Sequence, residues 1–211
     1  MAPGQGGNRE EVRSPRAVGA AGSDGHRRSR ESLPNAAAYD QGGTAQVMNA
    51  AWGMISSGDK IALFINERHA TTKAIHQTGA FTVSIADRDH MDVADYYGIA
   101  TGNTLPDKFA QSGYHAEKSA HVNAPIITEF PVTMECELAE VVQTENIHAI
   151  VGTIVNVSAD EKVIGENGKV DPEKLNALAF DNFQSGYYLV NQKVGQAWSA
   201  GKELAQKAQR Q

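Results

Sequence analysis

The sequence predicts a mainly β protein, an antiparallel barrel with a few short covering helices. Three observations carry this. Strand-type apolar alternation recurs along the chain, while helical patterning is confined to short segments. The regular strand–helix alternation of a parallel doubly wound sheet is missing. Residues 130–160, FPVTMECELAEVVQTENIHAIVGTIVNVSAD, read as one long hairpin, two alternating runs about the polar turn Gln143-Thr144-Glu145-Asn146.

In chain order, residues 1–32 form a first region of different composition. Residues 1–30 are rich in Gly, Pro, Ser and Arg, and six Arg face Glu10, Glu11 and Asp24 there. Such a segment cannot bury enough apolar surface to offset its ordering entropy and is expected to be a disordered extension. Arg27-Arg28 is followed by no apolar stretch, which argues against a secretion signal. Residues 33–211 read as the single folded domain. Apolar alternation over Gln46–Ser57 and the apolar run Lys60–Asn66 predict strands. A short helix is expected over Thr71–Thr78, closed by Gly79. Residues 80–86 (AFTVSIA) are a strand. Residues 87–100 read as a helix with apolar positions at 91, 93, 94, 96 and 97, capped by Asp87 or Asp89 and ended by Gly98. Residues 105–113 are a short helix or turn. The long hairpin follows, then a polar loop, and residues 187–208 are mixed and end in a helix.

The 211 residues suffice for one well-buried domain. The net charge of −6 repels phosphates, so nucleic acid is not expected as a partner. No apolar run approaches the roughly 18–20 residues that span a bilayer, so no membrane is expected. The single cysteine, Cys136, can form no internal disulfide, which fits a reducing, cytoplasmic setting. It lies in the alternating VTMECEL between two Glu, the pattern of a buried strand thiol. Sequence signatures of a dinucleotide fingerprint, a P-loop, a zinc protease, a nucleophile elbow and a CxxC pair are all missing. The seven His are scattered and form no convincing metal set, so no metal is expected.

One constellation remains. Arg68-His69-Ala70-Thr71-Thr72-Lys73 puts hydroxyls and cations where a helix begins, which is where a phosphate binds best. Lys108 offers a second cation. Upstream, Met48-Asn49-Ala50-Ala51-Trp52 is a small-residue strand beside an indole, suited to a flat ring lying close to the backbone. Ser56 and Ser57 are placed to reach a polyol linker. Each piece also has a plainer reading: Thr71 as a helix cap, Arg68 and Lys73 as a solvated face, Trp52 as core. Their order along the chain is what favours a phosphorylated, flat aromatic ligand.

The segments VMNAAWGMIS, IALFIN, HATTKAI, TGAFTVSIA, DKF, ENIHAIVGTIVNV and LNALAF with the following Tyr-Tyr pair resemble, in that order, the flavin reductase-like family with its FMN-binding split barrel, and within it the flavoredoxin-type branch. The resemblance covers about residues 33–204. It implies a six-stranded antiparallel split β-barrel of Greek-key type, a homodimer, and FMN bound near the dimer interface. Met48, Asn49, Ala50, Ala51 and Trp52 then line the isoalloxazine ring. Thr71 falls on the phosphate-site threonine, with Asn66, His69, Thr72 and Lys73 alongside and Lys108 as a second phosphate ligand. His148 falls on the histidine of the second hairpin, the candidate catalytic residue, and Phe180 on a late aromatic at the cofactor. His148 and Phe180 also read as ordinary core residues. Tyr187 and Tyr188 read either as interface residues or as packing over the ligand. Gln46 stands where Asn is common, Asn49 where Thr is common, the loop Ser57–Lys60 lacks the usual prolines, and Asn191 stands where Gly is frequent.

The implied function is an NAD(P)H-dependent flavin reductase. Hydride transfer from NADH or NADPH needs nicotinamide C4 stacked about 3–3.5 Å from flavin N5, and no side-chain nucleophile. This matches the missing triad. The alternatives are a flavoredoxin-like electron carrier with tightly bound FMN and a redox protein partner, and an FMN-binding protein without turnover.

Overall fold

The structure, a computed structural model, describes residues 33–209; the extension expected over residues 1–32 lies outside them. Eleven strands and five α-helices are formed among the described residues. Those that build the barrel are β1 (Pro34–Tyr39), β2 (Ala45–Asn49), β3 (Gly53–Ser57), β4 (Lys60–Leu63), β5 (Ala80–Ile85), β8 (Val132–Gln143) and β9 (His148–Ala159). They form one antiparallel sheet in the order β2-β1-β5-β8-β9-β4-β3. Its two edge strands, β2 and β3, are consecutive in sequence and separated only by Ala50, Ala51 and Trp52. Four residue steps reach at most about 14 Å, so the edges must meet and the sheet must curl closed. Ala50 N–H still donates to the Pro34 carbonyl (2.8 Å), and Phe64 N–H already donates to the Trp52 carbonyl (2.8 Å). The run expected as one strand over Gln46–Ser57 is therefore a single bent strand. It pairs with β1 before the bend and with β4 after it. Counted as one, it gives the six strands of a split barrel.

Alternate residues point inward. Ala36, Met48, Leu63, Phe81, Val83, Met134, Cys136, Ile150 and Ile154 fill the barrel. Close packing here depends on Gly152 of β9: a Cβ at that position would lie 2.4 Å from Phe81 Cζ and 3.1 Å from Cys136 Cβ. Cys136 is fully buried, and burial, with the Glu135 charge second, pushes its thiol pKa up.

The helix α1 (Ala70–Thr78) joins β4 to β5 and ends where expected. Gly79 adopts φ 67° and donates its N–H to the Ile75 carbonyl (2.8 Å). A 3₁₀ turn (Arg88–His90) leads into α2 (Met91–Ile99). Two expectations are corrected here. Gly98 lies inside α2, which ends at Ile99, with Ala100 N–H bonded to the Tyr96 carbonyl (2.9 Å). Neither Asp87 nor Asp89 caps through its side chain; the Asp87 carboxylate accepts from the His90 ring instead. The short α3 (Lys108–Gln111) follows, then the two-stranded β6 (Ala116–Lys118) and β7 (Pro125–Ile127).

After β9 come α4 (Pro172–Leu175), the hairpin β10 (Ala177–Asp181) and β11 (Gly186–Val190), and α5 (Lys202–Ala208). The hairpin is stitched to the barrel by Leu33 N–H to Leu178 O (2.7 Å) and Leu178 N–H to Ala86 O (3.0 Å). A second apolar cluster forms outside the barrel, where Ala94 and Tyr97 of α2 and Leu178 of β10 cover Leu33, Ala37 and Val47. No helix of the described residues is long and apolar enough to cross a membrane.

Candidate functional site

At the bend between β2 and β3 a cleft of about 520 Å³ opens between the barrel, the start of α1, the end of α2 and the β10–β11 hairpin. Its volume falls in the range of small-molecule and cofactor sites. The bend creates it. Where the strand leaves β1 for β4, Ala50 and Ala51 leave room beside the backbone, and Trp52, 57% exposed, stands at the margin. Trp52 is therefore a surface wall and not core. Phe180 and Tyr187 close the opposite side, their rings 5.8 Å apart. Tyr187 donates its hydroxyl proton to Asp95 of α2 (2.7 Å), which ties the hairpin to the helix across the cleft. Burial and this carboxylate push the Tyr187 pKa up to about 12.

One end of the cleft suits an anion. The α1 helix starts after His69 with no side-chain cap and no acid in its first turn. Its first amides therefore lack intrahelical acceptors. Asn66 shapes the entry, its carbonyl accepting from His69 N–H (3.1 Å) and its Oδ1 from Arg68 N–H (2.9 Å). Thr71, 2% exposed, sits in this first turn and lines the cleft. Facing it is Lys108, 4% exposed, whose ammonium donates to the carbonyls of Tyr97 (3.0 Å) and Ala100 (2.7 Å) at the end of α2. A lysine has three N–H donors, so one remains beyond these two. Burial lowers the Lys108 pKa to about 8. Desolvation first, and the Lys108 charge second, lower that of His69. The loop after α2 can approach this end only because residue 102 is glycine. A Cβ there would lie 2.8 Å from Gln46 Oε1 and 2.9 Å from Ala70 Cβ.

The floor carries a buried polar atom without a partner. Asn49 Nδ2 donates to the Ala94 carbonyl (3.2 Å), but its Oδ1 is buried and unpaired. Burying an unmatched acceptor is costly, so a ligand donor or a water belongs there.

The structure thus gathers Met48, Asn49, Ala50, Ala51, Trp52, Asn66, His69, Thr71, Lys108 and Phe180 around one cleft. Five residues of the sequence-derived set stand elsewhere. Ser56 and Ser57 are exposed farther along β3, beyond the bend. Thr72 is turned inward and fully buried, its hydroxyl unpaired. Lys73 reaches from α1 to the Asn103 side chain in the loop after α2 (3.1 Å). His148 opens β9 opposite Gln143, with a buried, unpaired Nδ1, and is not in the cleft wall. The contribution of α2, through Asp95, Tyr97, Gly98 and the loop to Gly102, has no motif in the sequence. Of the two late tyrosines, Tyr187 joins the wall and Tyr188 points out, 54% exposed. No group of His, Cys, Asp and Glu among the described residues is arranged to hold a metal.

Fold and cleft together define a barrel with one cleft of small-molecule size, one end of which suits an anion. Comparison with known proteins specifies it. The model of the flavin reductase-like domain matches residues 34–184. The flavoredoxin of Desulfovibrio vulgaris (Miyazaki F) superposes with a TM-score of 0.76 at 30% identity, over 88% of this chain and 98% of that one. An FMN-binding domain of a flavin reductases-like enzyme from Shewanella baltica OS155 (TM-score 0.68, 16% identity, 79% and 89% covered) shares the fold, as does a protein with a split barrel domain from Shewanella frigidimarina NCIMB 400 (0.69, 17%, 80% and 86%). The chain belongs to the flavin reductase-like family. It spans about half the length of the curated relatives it matches.

Proposed function

We propose that the cleft holds FMN and that the protein is an NAD(P)H-dependent flavin reductase. The observation that carries this reading is the pairing of an uncapped helix start, with Thr71 and Lys108 beside it, and a small-residue strand bend that ends at Trp52 in the same cleft. A phosphorylated flat ring needs both ends at once. The residues fit the group. The α1 amides, Thr71 and Lys108 would hold the phosphate, and Ala50, Ala51 and Trp52 would flank the ring. The unpaired Asn49 Oδ1 would accept from a ring N–H. Desolvation lowers the His69 pKa, and Lys108 is the lysine that lines this end of the cleft. The bound flavin would supply the hydride-accepting redox chemistry, and the protein binding, orientation and electrostatics. The side chains named here position and exclude water; none of them needs to act as a nucleophile.

The 30% identity to a flavoredoxin across nearly its whole length favours a second reading, an electron carrier that keeps its FMN and serves a protein partner. Two measurements separate the readings. Protein mixed with FMN and desalted should keep absorption bands near about 370 and 450 nm, as an oxidised flavin does. NADH or NADPH oxidation that depends on added free FMN marks the reductase. Bound flavin that is reduced only by a partner protein marks the carrier. A colourless protein without such turnover counts against both.

A further inference from the structure

Asn35 of β1 is fully buried, and neither its Nδ2 nor its Oδ1 has a partner among the described residues. It lies on the outer face of the barrel, between Leu33 and Ala37 of the second apolar cluster. A carboxamide with both ends unmatched in the interior is costly and rare. Register sets Asn35 opposite Asn49 on β2 and opposite Ser84 on β5, and sets Ser84 opposite Thr133 on β8. Residues directly opposite share a face, so a polar row crosses four adjacent strands and ends at the cleft floor.

The direction of the row is fixed at Asn49. Its side chain meets the Ala94 carbonyl (3.2 Å), a group that only accepts, so Nδ2 must point there and Oδ1 away. Gly98 of α2 packs on the same side chain: a Cβ there would lie 3.4 Å from Asn49 Cβ and 3.7 Å from Nδ2. Ala50 N–H donates to the Pro34 carbonyl (2.8 Å), which makes Asn35 and Asn49 a narrow, non-hydrogen-bonded pair, the kind whose side chains stand closest. On the other side the Ser84 and Thr133 hydroxyls bond each other (2.9 Å). One O–H serves that bond, and the other is left to donate elsewhere. Asn35 therefore has one orientation consistent with both neighbours, Nδ2 towards Asn49 Oδ1 and Oδ1 towards the hydroxyl pair.

We propose that Asn35 is a positioning residue for the ring end of the cleft. Its Nδ2–H donates to one lone pair of Asn49 Oδ1 and leaves the other for the ligand. The carboxamide of Asn49 is thereby held with its acceptor towards the cleft, and the floor selects a ring that carries an N–H over the same ring without it. This rests on the reading that the cleft holds FMN, which offers its imide N3–H. Asn35 itself does not line the cleft, so it acts only through Asn49.

The test titrates the full chain with FMN and with 3-methyl-FMN, whose imide N–H is replaced, following flavin fluorescence. Wild type should bind FMN at least about tenfold more tightly, and Asn35→Leu should lose most of that preference while keeping its circular dichroism spectrum. A simple clash of the added methyl would persist in the variant. Both ligands carry the same phosphate. Equal binding of the two by wild type, or a variant that discriminates as wild type does, therefore overturns the role of Asn35 and leaves the FMN reading standing. Wild type that binds neither ligand removes both. A second measurement needs no variant. In ¹⁵N NMR spectra of wild type, the side-chain amide signals of Asn35 should shift when FMN is added, and signals that stay in place overturn the proposal.

Discussion

In the proposed site Thr71 and Lys108 would hold the phosphate by different physics, and they would fail differently. A hydroxyl bonded to a charged ligand contributes about 1.5–3 kcal/mol. Thr71→Ala should therefore weaken FMN binding by about tenfold or more in a fluorescence titration, with the fold intact; wild-type affinity would remove Thr71 from the phosphate site. Lys108 brings a pH dependence. With its pKa held down near 8 by burial, it is a cation below that pH and loses its charge as pH rises through it. A bound phosphate stabilises the ammonium, so affinity should be full below about pH 8 and fall above it. Lys108→Met should bind FMN more weakly at neutral pH and lose the decline above pH 8. A wild-type profile that stays flat to about pH 9.5 would place the phosphate elsewhere. Thr71 and the strand at Trp52 were legible in sequence because each sits in a contiguous run. The Asp95–Tyr187 bond was not, because it joins residues 92 positions apart.

At the level of elements, patterning was a good guide where one face is buried and length is ample. The β8–β9 hairpin and α1 with Gly79 follow their sequence signals. β1 escaped, since PNAAAY is half alanine and shows no alternation, although all but Tyr39 are buried. β6 and β7 are three residues each, too short for a pattern. The β10–β11 hairpin was blurred by its turn, where Ser185 takes φ 53° without a glycine. Two predictions belong here. Gly152→Ala drives a methyl into the Phe81 ring, which is fully buried and cannot retreat. A loss of about 1–3 kcal/mol is expected in chemical denaturation, and unchanged stability would mean that the Phe81 packing is wrong. Tyr187→Phe unties the hairpin from α2. Amide exchange across 177–190 should speed up about tenfold while β8 and β9 stay protected. Equal exchange in both proteins would show that the bond does not hold the wall.

For the whole molecule, one event serves architecture and site together. The strand that closes the barrel must change partners from β1 to β4, and it does so over Ala50, Ala51 and Trp52. That break splits the barrel and leaves a backbone bend with small side chains on which a flat ring can lie. α1 follows β4 by a short loop, so its start arrives at the other end of the same cleft. The order of motifs along the sequence thus reflects the closure of the barrel. The closure itself was visible only from the sheet order, since no local pattern says that β2 and β3 are opposite edges. The claim that this cleft binds a phosphorylated flavin is tested most directly by titrating the protein with FMN and with riboflavin, side by side, following flavin fluorescence. FMN should bind at least about tenfold more tightly, since only it offers a charge to α1, Thr71 and Lys108. Equal affinity for the two flavins would contradict the placement of the phosphate at the start of α1.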